Sequence, residues 1–202
     1  GGGGCPSLLL EKQSTNLVTY SEQFDNAGWL KEEATSTANQ TTSPDGTQNA
    51  DTFIDNSVNS RHIFYQQFNG NLATARTFSL YAKQNSLRYL FISVTNTSDT
   101  DCYSAIFDLQ NGTISATKVN GDATISASIV SAGNGWYRCI ISGTMTTGTG
   151  NYFPLIGTSN RAGFTGSLYA NNTPEYSGSG QSIYLWGAQL EDSSYPTSYI
   201  PT

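Results

Sequence analysis

The chain has 202 residues, of which only 12% are charged, and its formal net charge is −6. The nine Lys and Arg residues are scattered, so the basic patch of a nucleic-acid-binding protein is missing and we expect no nucleic-acid partner. No apolar run approaches the roughly 18 residues of a membrane span, so insertion into a membrane is not expected either.

The start of the chain indicates a linker that precedes one domain. Four glycines, Gly1 to Gly4, cannot anchor a fold by themselves, so we interpret residues 1–7 as a linker or as the cut end of a larger polypeptide. Residues 8–202 are enough to bury one core, and β-sandwiches of this size are commonly single domains. The sequence therefore predicts a single module over residues 8–202.

Short alternating runs bounded by Gly, Asn, Asp and Ser predict an all-β chain, because helical periodicity is almost absent. Strands in this number suit a two-sheet antiparallel β-sandwich. In chain order, the predicted strands span residues 8–10, 17–20, 29–38, 49–55, 61–68, 75–83, 89–94, 102–108, 114–120, 123–130, 136–144, 151–156 and 182–191.

Several segments between these strands predict chain reversals. In Ser43-Pro44-Asp45-Gly46, the proline presets the first central turn position and the glycine accepts a positive φ. Asn111-Gly112, Asn120-Gly121 and Asn134-Gly135 are further turn signals, and hairpins are expected at some of them. The stretch from Thr158 to Gln181 is too long for an ordinary connection, so it is a candidate lip of a binding site.

Alternation assigns the side chains of two predicted strands to opposite faces. In residues 89–94 the aliphatic set is expected to face the core, which leaves Tyr89 and Phe91 outside. In residues 78–83 the same reasoning leaves Tyr81 and Lys83 outside. The residues expected in the core are Phe78, Leu80, Ala82, Leu90, Ile92 and Val94. The two strands are expected to be neighbours, so they put aromatic rings and a cation on one outer face.

Such a face is suited to carbohydrate, because the C–H face of a sugar ring can lie on an aromatic plane while its hydroxyls bond to polar side chains at the edge. The alternative is that these rings are simply good strand formers that cover the sheet. The candidate carbohydrate-binding residues are Tyr81, Lys83, Arg88, Tyr89, Phe91 and Tyr176.

Both ends of the chain and one internal segment carry sequence that is typical of one protein family. The segments are residues 15–24 with Trp29, residues 133–138, and residues 182–191 with 198–202. They resemble the β-sandwich modules of bacteriophage tail-fibre and receptor-binding proteins, which are similar to the jelly-roll carbohydrate-binding modules of families 4 and 9, with a concanavalin A-like or galactose-binding-like fold. The resemblance implies a jelly roll on a virion appendage that is extracellular when functional. It also implies a bacterial surface glycan and other virion proteins as partners, and a homotrimer would suit that setting.

In these relatives, paired acidic residues on the last strand help to hold a structural calcium ion, whereas this chain has Trp186-Gly187-Ala188-Gln189 at that place. We therefore expect no cofactor. Carboxylates that could still hold calcium are Glu22, Asp25, Asp99, Asp101 and Glu191.

The three cysteines, Cys5, Cys102 and Cys139, are odd in number and far apart. This spacing predicts free thiols, with Cys139 buried in a strand. A disulfide between Cys102 and Cys139 is the alternative, if their strands adjoin.

No motif predicts catalysis, since glycan cleavage requires two carboxylates placed across a bond and none is marked by a pattern. The only histidine, His62, is predicted to be a surface or edge imidazole with no nucleophile motif nearby. The leading hypothesis is a non-catalytic glycan-binding module of a virion appendage. The alternatives are a purely structural or decorating module of a phage fibre or capsid, and an accessory domain of a polysaccharide-degrading enzyme.

Overall fold

The computed structural model describes residues 11, 13–146 and 148–202. The predicted linker at residues 1–7 and the predicted strand at 8–10 lie outside this range. Within it there is no helix long and apolar enough to cross a membrane. The strands are β1 (Leu30–Glu32), β2 (Ala34–Thr41), β3 (Ala50–Asp55), β4 (Asn59–Arg61), β5 (Ile63–Tyr65), β6 (Phe68–Asn71), β7 (Arg76–Gln84), β8 (Tyr89–Asn96), β9 (Cys102–Asp108), β10 (Thr113–Asn120), β11 (Ser126–Gly133), β12 (Trp136–Gly143), β13 (Thr149–Ser159), β14 (Glu175–Ser177) and β15 (Ser182–Glu191).

The strands form a two-sheet antiparallel β-sandwich, which confirms the predicted fold class. The front sheet has the order β1-β5-β13-β8-β9-β10, with β6 also paired to β13, and the back sheet has the order β11-β12-β7-β15-β3-β2. β4 and β14 form a separate two-stranded ribbon. The chain changes sheet directly between β1 and β2, β6 and β7, β7 and β8, β10 and β11, and β12 and β13, as in a jelly roll. It also passes from one sheet to the other through β4 and through β14.

Most predicted strands are confirmed to within a few residues, but three predictions are wrong. The predicted strand at 29–38 is divided between β1 of the front sheet and β2 of the back sheet. Residues 17–20 belong to no strand, and their link to the back sheet is one bond from Leu17 N to Leu190 O at 2.8 Å. The predicted strand at 61–68 is divided among β4, β5 and β6. Strands of three residues are too short to show an alternating pattern, which also explains why β14 was missed.

Three of the four predicted turns join neighbouring strands of one sheet, and the fourth joins the two sheets. Gly46, with φ of 91°, donates its N–H to Ser43 O at 3.1 Å and reverses the chain between β2 and β3. Asn134 and Gly135 have φ of 53° and 80°, and they close the β11–β12 hairpin. Asn111-Gly112 joins the paired strands β9 and β10. Asn120-Gly121 makes no hairpin, because the chain leaves the front sheet there for β11 of the back sheet.

The main core lies between the two sheets and contains every residue assigned to it by alternation. Phe78, Leu80, Ala82, Leu90, Ile92 and Val94 are all fully buried there. Phe53 of the back sheet meets Phe64 of the front sheet with ring centroids 4.4 Å apart. Each fully buried side chain of this size stabilises the fold by about 1.5–3 kcal/mol, so this layer dominates stability.

The two ends of the described chain meet at Asn16. Its Nδ2 donates to Ala188 O and to Ile200 O, both at 2.9 Å. Its Oδ1 accepts from Val18 N at 3.1 Å and from Leu190 N at 3.0 Å. The amide thus holds the N-terminal segment, β15 and the C-terminal segment together, so the recognisable sequences at the two ends form one structural unit.

The cysteine and histidine predictions have mixed outcomes. Cys102 and Cys139 are buried free thiols, as predicted. The alternative disulfide is wrong, since both thiols are free, and the strands that carry them do not adjoin but belong to different sheets. Burial raises the pKa of the Cys102 thiol to about 11. Cys5 lies outside the described residues.

The prediction for His62 is wrong, because this side chain is fully buried rather than at the surface. Its Nδ1 lies 2.5 Å from Glu33 O, and its Nε2 lies 3.1 Å from Tyr176 O.

Candidate functional site

The outer faces of both sheets are partly covered by irregular segments. Residues 160–174 lie over the front sheet, where Phe164 packs on a small apolar cluster and its ring centroid lies 6.3 Å from that of Phe91. Residues 195–202 lie over the back sheet, where the Tyr199 ring centroid is 4.6 Å from that of Trp186. The exposure of an outward-facing ring therefore depends on these two segments as well as on strand alternation.

The predicted carbohydrate-binding residues do not share one face, so that part of the prediction is wrong. β7, which carries Tyr81 and Lys83, lies in the back sheet, whereas β8, which carries Tyr89 and Phe91, lies in the front sheet. The prediction assumes that strands consecutive in the sequence are neighbours in one sheet. The chain instead crosses the sandwich between them, so their outward side chains point in opposite directions.

Two of the six predicted site residues, Phe91 and Tyr176, are buried. Phe91 faces outward from the front sheet, as predicted, but it is 0% exposed beneath residues 160–174. Tyr176 is also buried, and its hydroxyl is bonded to Thr158 Oγ1 at 2.7 Å and to Asp55 Oδ2 at 2.9 Å. Burial raises the pKa of Tyr176. Neither ring is available to a ligand in this structure.

The other four predicted site residues are half-buried, and their role in binding stays a prediction. Arg88 forms a two-bond ion pair with Asp108, with Nε–Oδ1 at 2.8 Å and Nη2–Oδ2 at 2.5 Å. This pairing holds the pKa of Asp108 below its ordinary value. Arg88 also lies 5.1 Å from the ring centroid of Tyr89. On the back sheet, Tyr81 packs edge-on against Trp186, and Lys83 lies beside the turn at Gly135.

A groove on the front sheet brings together a different set of residues. It has a volume of about 160 Å³ and crosses β5, β13 and β8. Directly opposed residues of antiparallel strands point to the same face, so the pairs Tyr65↔Leu155 and Phe153↔Thr95 place these side chains together. The lining residues are Glu32, Arg61, Ile63, Tyr65, Thr95, Thr97, Asp99, Phe153, Leu155 and Asn171.

The floor of the groove is an aromatic pair. Tyr65 and Phe153 meet edge to face, with ring centroids 6.0 Å apart and an interplanar angle of 71°. Both rings pack against the buried Leu155, whereas they themselves are only half-buried. Burial raises the pKa of Tyr65, and the neighbouring Glu32 carboxylate adds to the effect. The pair therefore offers a fixed, partly exposed apolar surface.

One side of the groove is held by Arg61. Its Nε and Nη2 donate to the two carboxylate oxygens of Glu32 at 2.7 and 2.9 Å. Its guanidinium carbon also lies 3.8 Å from the ring centroid of Tyr169, which is 41% exposed on the segment over the front sheet. These contacts fix the guanidinium between β1 and that segment.

The opposite side consists of Asp99 and Asn171. Asp99 lies in the turn between β8 and β9 with φ of 57°, and its Oδ1 accepts from Thr95 Oγ1 at 3.2 Å. Asn171 is 1% exposed, and its Oδ1 accepts from Thr173 Oγ1 at 2.6 Å. Residues 160–174 thus supply one lip of the groove, within the long segment singled out from the sequence.

Of the carboxylates considered for calcium, Glu22 and Asp25 line one pocket beside Asp51. In the described part of the chain, no three His, Cys, Asp or Glu side chains are placed to hold a metal ion. The buried Glu191 accepts a hydrogen bond from Thr197 Oγ1 at 2.5 Å. Gln189, at the place of the acidic pair of the relatives, accepts from Ile200 N at 2.7 Å.

No protein-family model and no curated protein sequence matches the chain. Among solved structures, the chain is similar to the crystal structure of the enzymatically active domain of tailspike protein 4 of bacteriophage CBA120, with 13% identity and a TM-score of 0.48. The match covers 87% of this chain and 21% of that one, so the chain spans about a fifth of that structure's length. At this level of similarity, neither a family nor an activity transfers to the chain.

Proposed function

We propose that the chain is a non-catalytic glycan-binding module of a bacteriophage virion appendage, which recognises a bacterial surface polysaccharide with the groove of its front sheet. The observation that carries this proposal is the half-exposed pair Tyr65 and Phe153, flanked by polar side chains on both sides. A sugar ring needs this combination, because its C–H face packs on aromatic carbon while its hydroxyls need donors and acceptors at the edge.

The size of the groove supports a polymer as ligand. Its volume of about 160 Å³ is well below the ~300–1,000 Å³ that encloses a typical small molecule. One saccharide ring can therefore lie on the aromatic floor while the rest of the chain continues over the surface. Asp99, at the edge of the groove, can accept hydrogen bonds from the hydroxyls of that ring.

The carboxylates of the groove support a non-catalytic role. Glycoside hydrolysis needs one carboxyl group as a proton donor and a second as a nucleophile or base. Both oxygens of Glu32 already accept hydrogen bonds from Arg61, at 2.7 and 2.9 Å. Among the described residues that line the groove, this leaves only the Asp99 carboxylate for chemistry, and one carboxylate is not enough.

The virion setting rests on the resemblance of the end segments to phage tail-fibre modules. An architectural or decorating module of a fibre or capsid is the main alternative, and an accessory domain of a polysaccharide-degrading enzyme is the other. An architectural module has no need for partly exposed rings in a polar groove, so the groove favours binding.

Isothermal titration calorimetry with host surface polysaccharide, after a glycan array has selected it, tests the proposal. We expect Tyr65→Ala and Phe153→Ala each to weaken binding about tenfold, which corresponds to ~1.4 kcal/mol. Tyr195→Ala is the matched control, since Tyr195 is 47% exposed but lies outside the groove. Tyr81→Ala and Tyr89→Ala test the residues chosen from the sequence.

Two results would overturn the proposal. Wild-type chain that binds no host polysaccharide would favour the architectural alternative. Release of reducing ends from the polysaccharide would show that the chain is an enzyme.

A further inference from the structure

The charged groups of the groove are unevenly neutralised. Arg61 is the one cation that lines it among the described residues. Two of its nitrogens bond to Glu32, and the guanidinium lies over Tyr169 with 3.8 Å between its carbon and the ring centroid. Arg61 and Glu32 therefore cancel each other, and little of the guanidinium is free to meet an anionic ligand.

Asp99 has no such counter-ion within the part of the chain that the structure describes. Its Oδ1 accepts one hydrogen bond, from the neutral hydroxyl of Thr95 at 3.2 Å. The positive φ of Asp99 and the bond from its N–H to Asn96 O at 3.2 Å fix the turn that presents the carboxylate. The groove therefore carries one uncompensated negative charge.

An uncompensated carboxylate discriminates between saccharides by their charge. It accepts hydrogen bonds from hydroxyl groups and pairs with an ammonium group. It repels a carboxylate held in the same groove, and such repulsion is a common source of specificity. The net charge of −6 on the whole chain acts in the same direction over longer distances.

We infer that the groove selects neutral or amine-bearing saccharides and rejects those that carry a carboxylate, such as uronic acids. This inference rests on the glycan-binding function proposed above and identifies the class of sugar that the same groove takes. The residue that sets the selection is Asp99.

The test uses one neutral host polysaccharide before and after oxidation of its C6 hydroxymethyl groups to carboxylates. We expect the oxidised form to bind the wild-type chain at least tenfold more weakly than the neutral form. In Asp99→Asn, which keeps the shape and one acceptor oxygen, this ratio should fall to about threefold or less. Asp25→Asn is the matched control, because Asp25 is exposed and lies in a different pocket, so the wild-type ratio should persist.

The outcomes separate this inference from the proposed function. Equal or tighter binding of the oxidised form by the wild-type chain would overturn the charge selection and leave glycan binding in place. A loss on oxidation that is as large in Asp99→Asn as in the wild type would overturn the role of Asp99. Absence of binding to both forms would instead remove the proposed function itself.

Discussion

Asn16 joins three separate segments because an amide has two donor hydrogens and an acceptor oxygen with two lone pairs. At Asn16 all four positions are used, with carbonyls of Ala188 and Ile200 on the nitrogen side and backbone N–H groups of Val18 and Leu190 on the oxygen side. The residue is only 5% exposed, so water cannot replace these partners. Its chemistry, more than its size, holds the ends of the chain.

Asn16→Asp should therefore destabilise the fold strongly although the two side chains have the same shape. The carboxylate loses both donors and turns a negative oxygen toward two carbonyls, and each orphaned buried group costs about 1–3 kcal/mol. We expect a loss of ~3 kcal/mol or more in the free energy of unfolding, measured by urea denaturation. The exposed Asn160→Asp should change it by no more than about 0.5 kcal/mol. A loss below 1 kcal/mol at Asn16 would contradict this account.

The groove residues show what residue-level analysis of the sequence misses. Tyr65 and Phe153 lie in runs that are apolar on both faces, so alternation could not mark one face as the surface. Phe91 shows the converse error, because its outward direction was predicted and its burial was not. Its cover is Phe164, which lies far along the chain on an irregular segment.

At the scale of elements, the existence and facing of long strands could be predicted from the sequence. β7 and β8 are examples, since a period of two fixed their core residues. Their assignment to sheets could not be predicted, because pairing is decided by contacts between distant segments such as β5 with β13. The connection at residues 85–88 carries no turn signal that distinguishes a hairpin from a crossover.

The segment at residues 160–174 is an element without regular structure, and Phe164 is its main apolar anchor on the front sheet. Phe164→Ala should release it, because the lost contacts with Phe91 and its neighbours are worth about 1–3 kcal/mol for a half-buried ring. Hydrogen–deuterium exchange should show faster exchange of amides in residues 160–174, with the strands of the back sheet unchanged. Since Asn171 belongs to the same segment, affinity for glycan should fall as well.

Thr165→Ala is the control for this prediction, since Thr165 is exposed in the same segment. Its exchange should match that of the wild type. Faster exchange over the whole chain in Phe164→Ala would show that the segment is part of the global folding unit, and unchanged exchange would show that Phe164 is not its anchor.

At the scale of the whole molecule, the sandwich has two outer faces that point in opposite directions. The front face carries the groove, and the back face carries Tyr81 and Lys83 beside an aromatic cluster that Tyr199 partly covers. Both faces present rings near cations, so composition alone could not choose between them. The front face is favoured because its aromatic pair lines an open groove, whereas Trp136 and Trp186 of the back face are at most 5% exposed.

A bulky label placed on each face decides between them. Thr97→Cys adds a thiol at the groove and Lys83→Cys adds one on the back face, each in a Cys5→Ser background. Cys102 and Cys139 are buried with raised pKa values, so a maleimide-linked polymer should attach at the added thiol. We expect the label at position 97 to abolish binding to host polysaccharide, because it fills the groove, and the label at position 83 to change the affinity less than about twofold. The opposite pattern would place the site on the back sheet, around the Tyr81 and Lys83 side chains that sequence alternation first indicated.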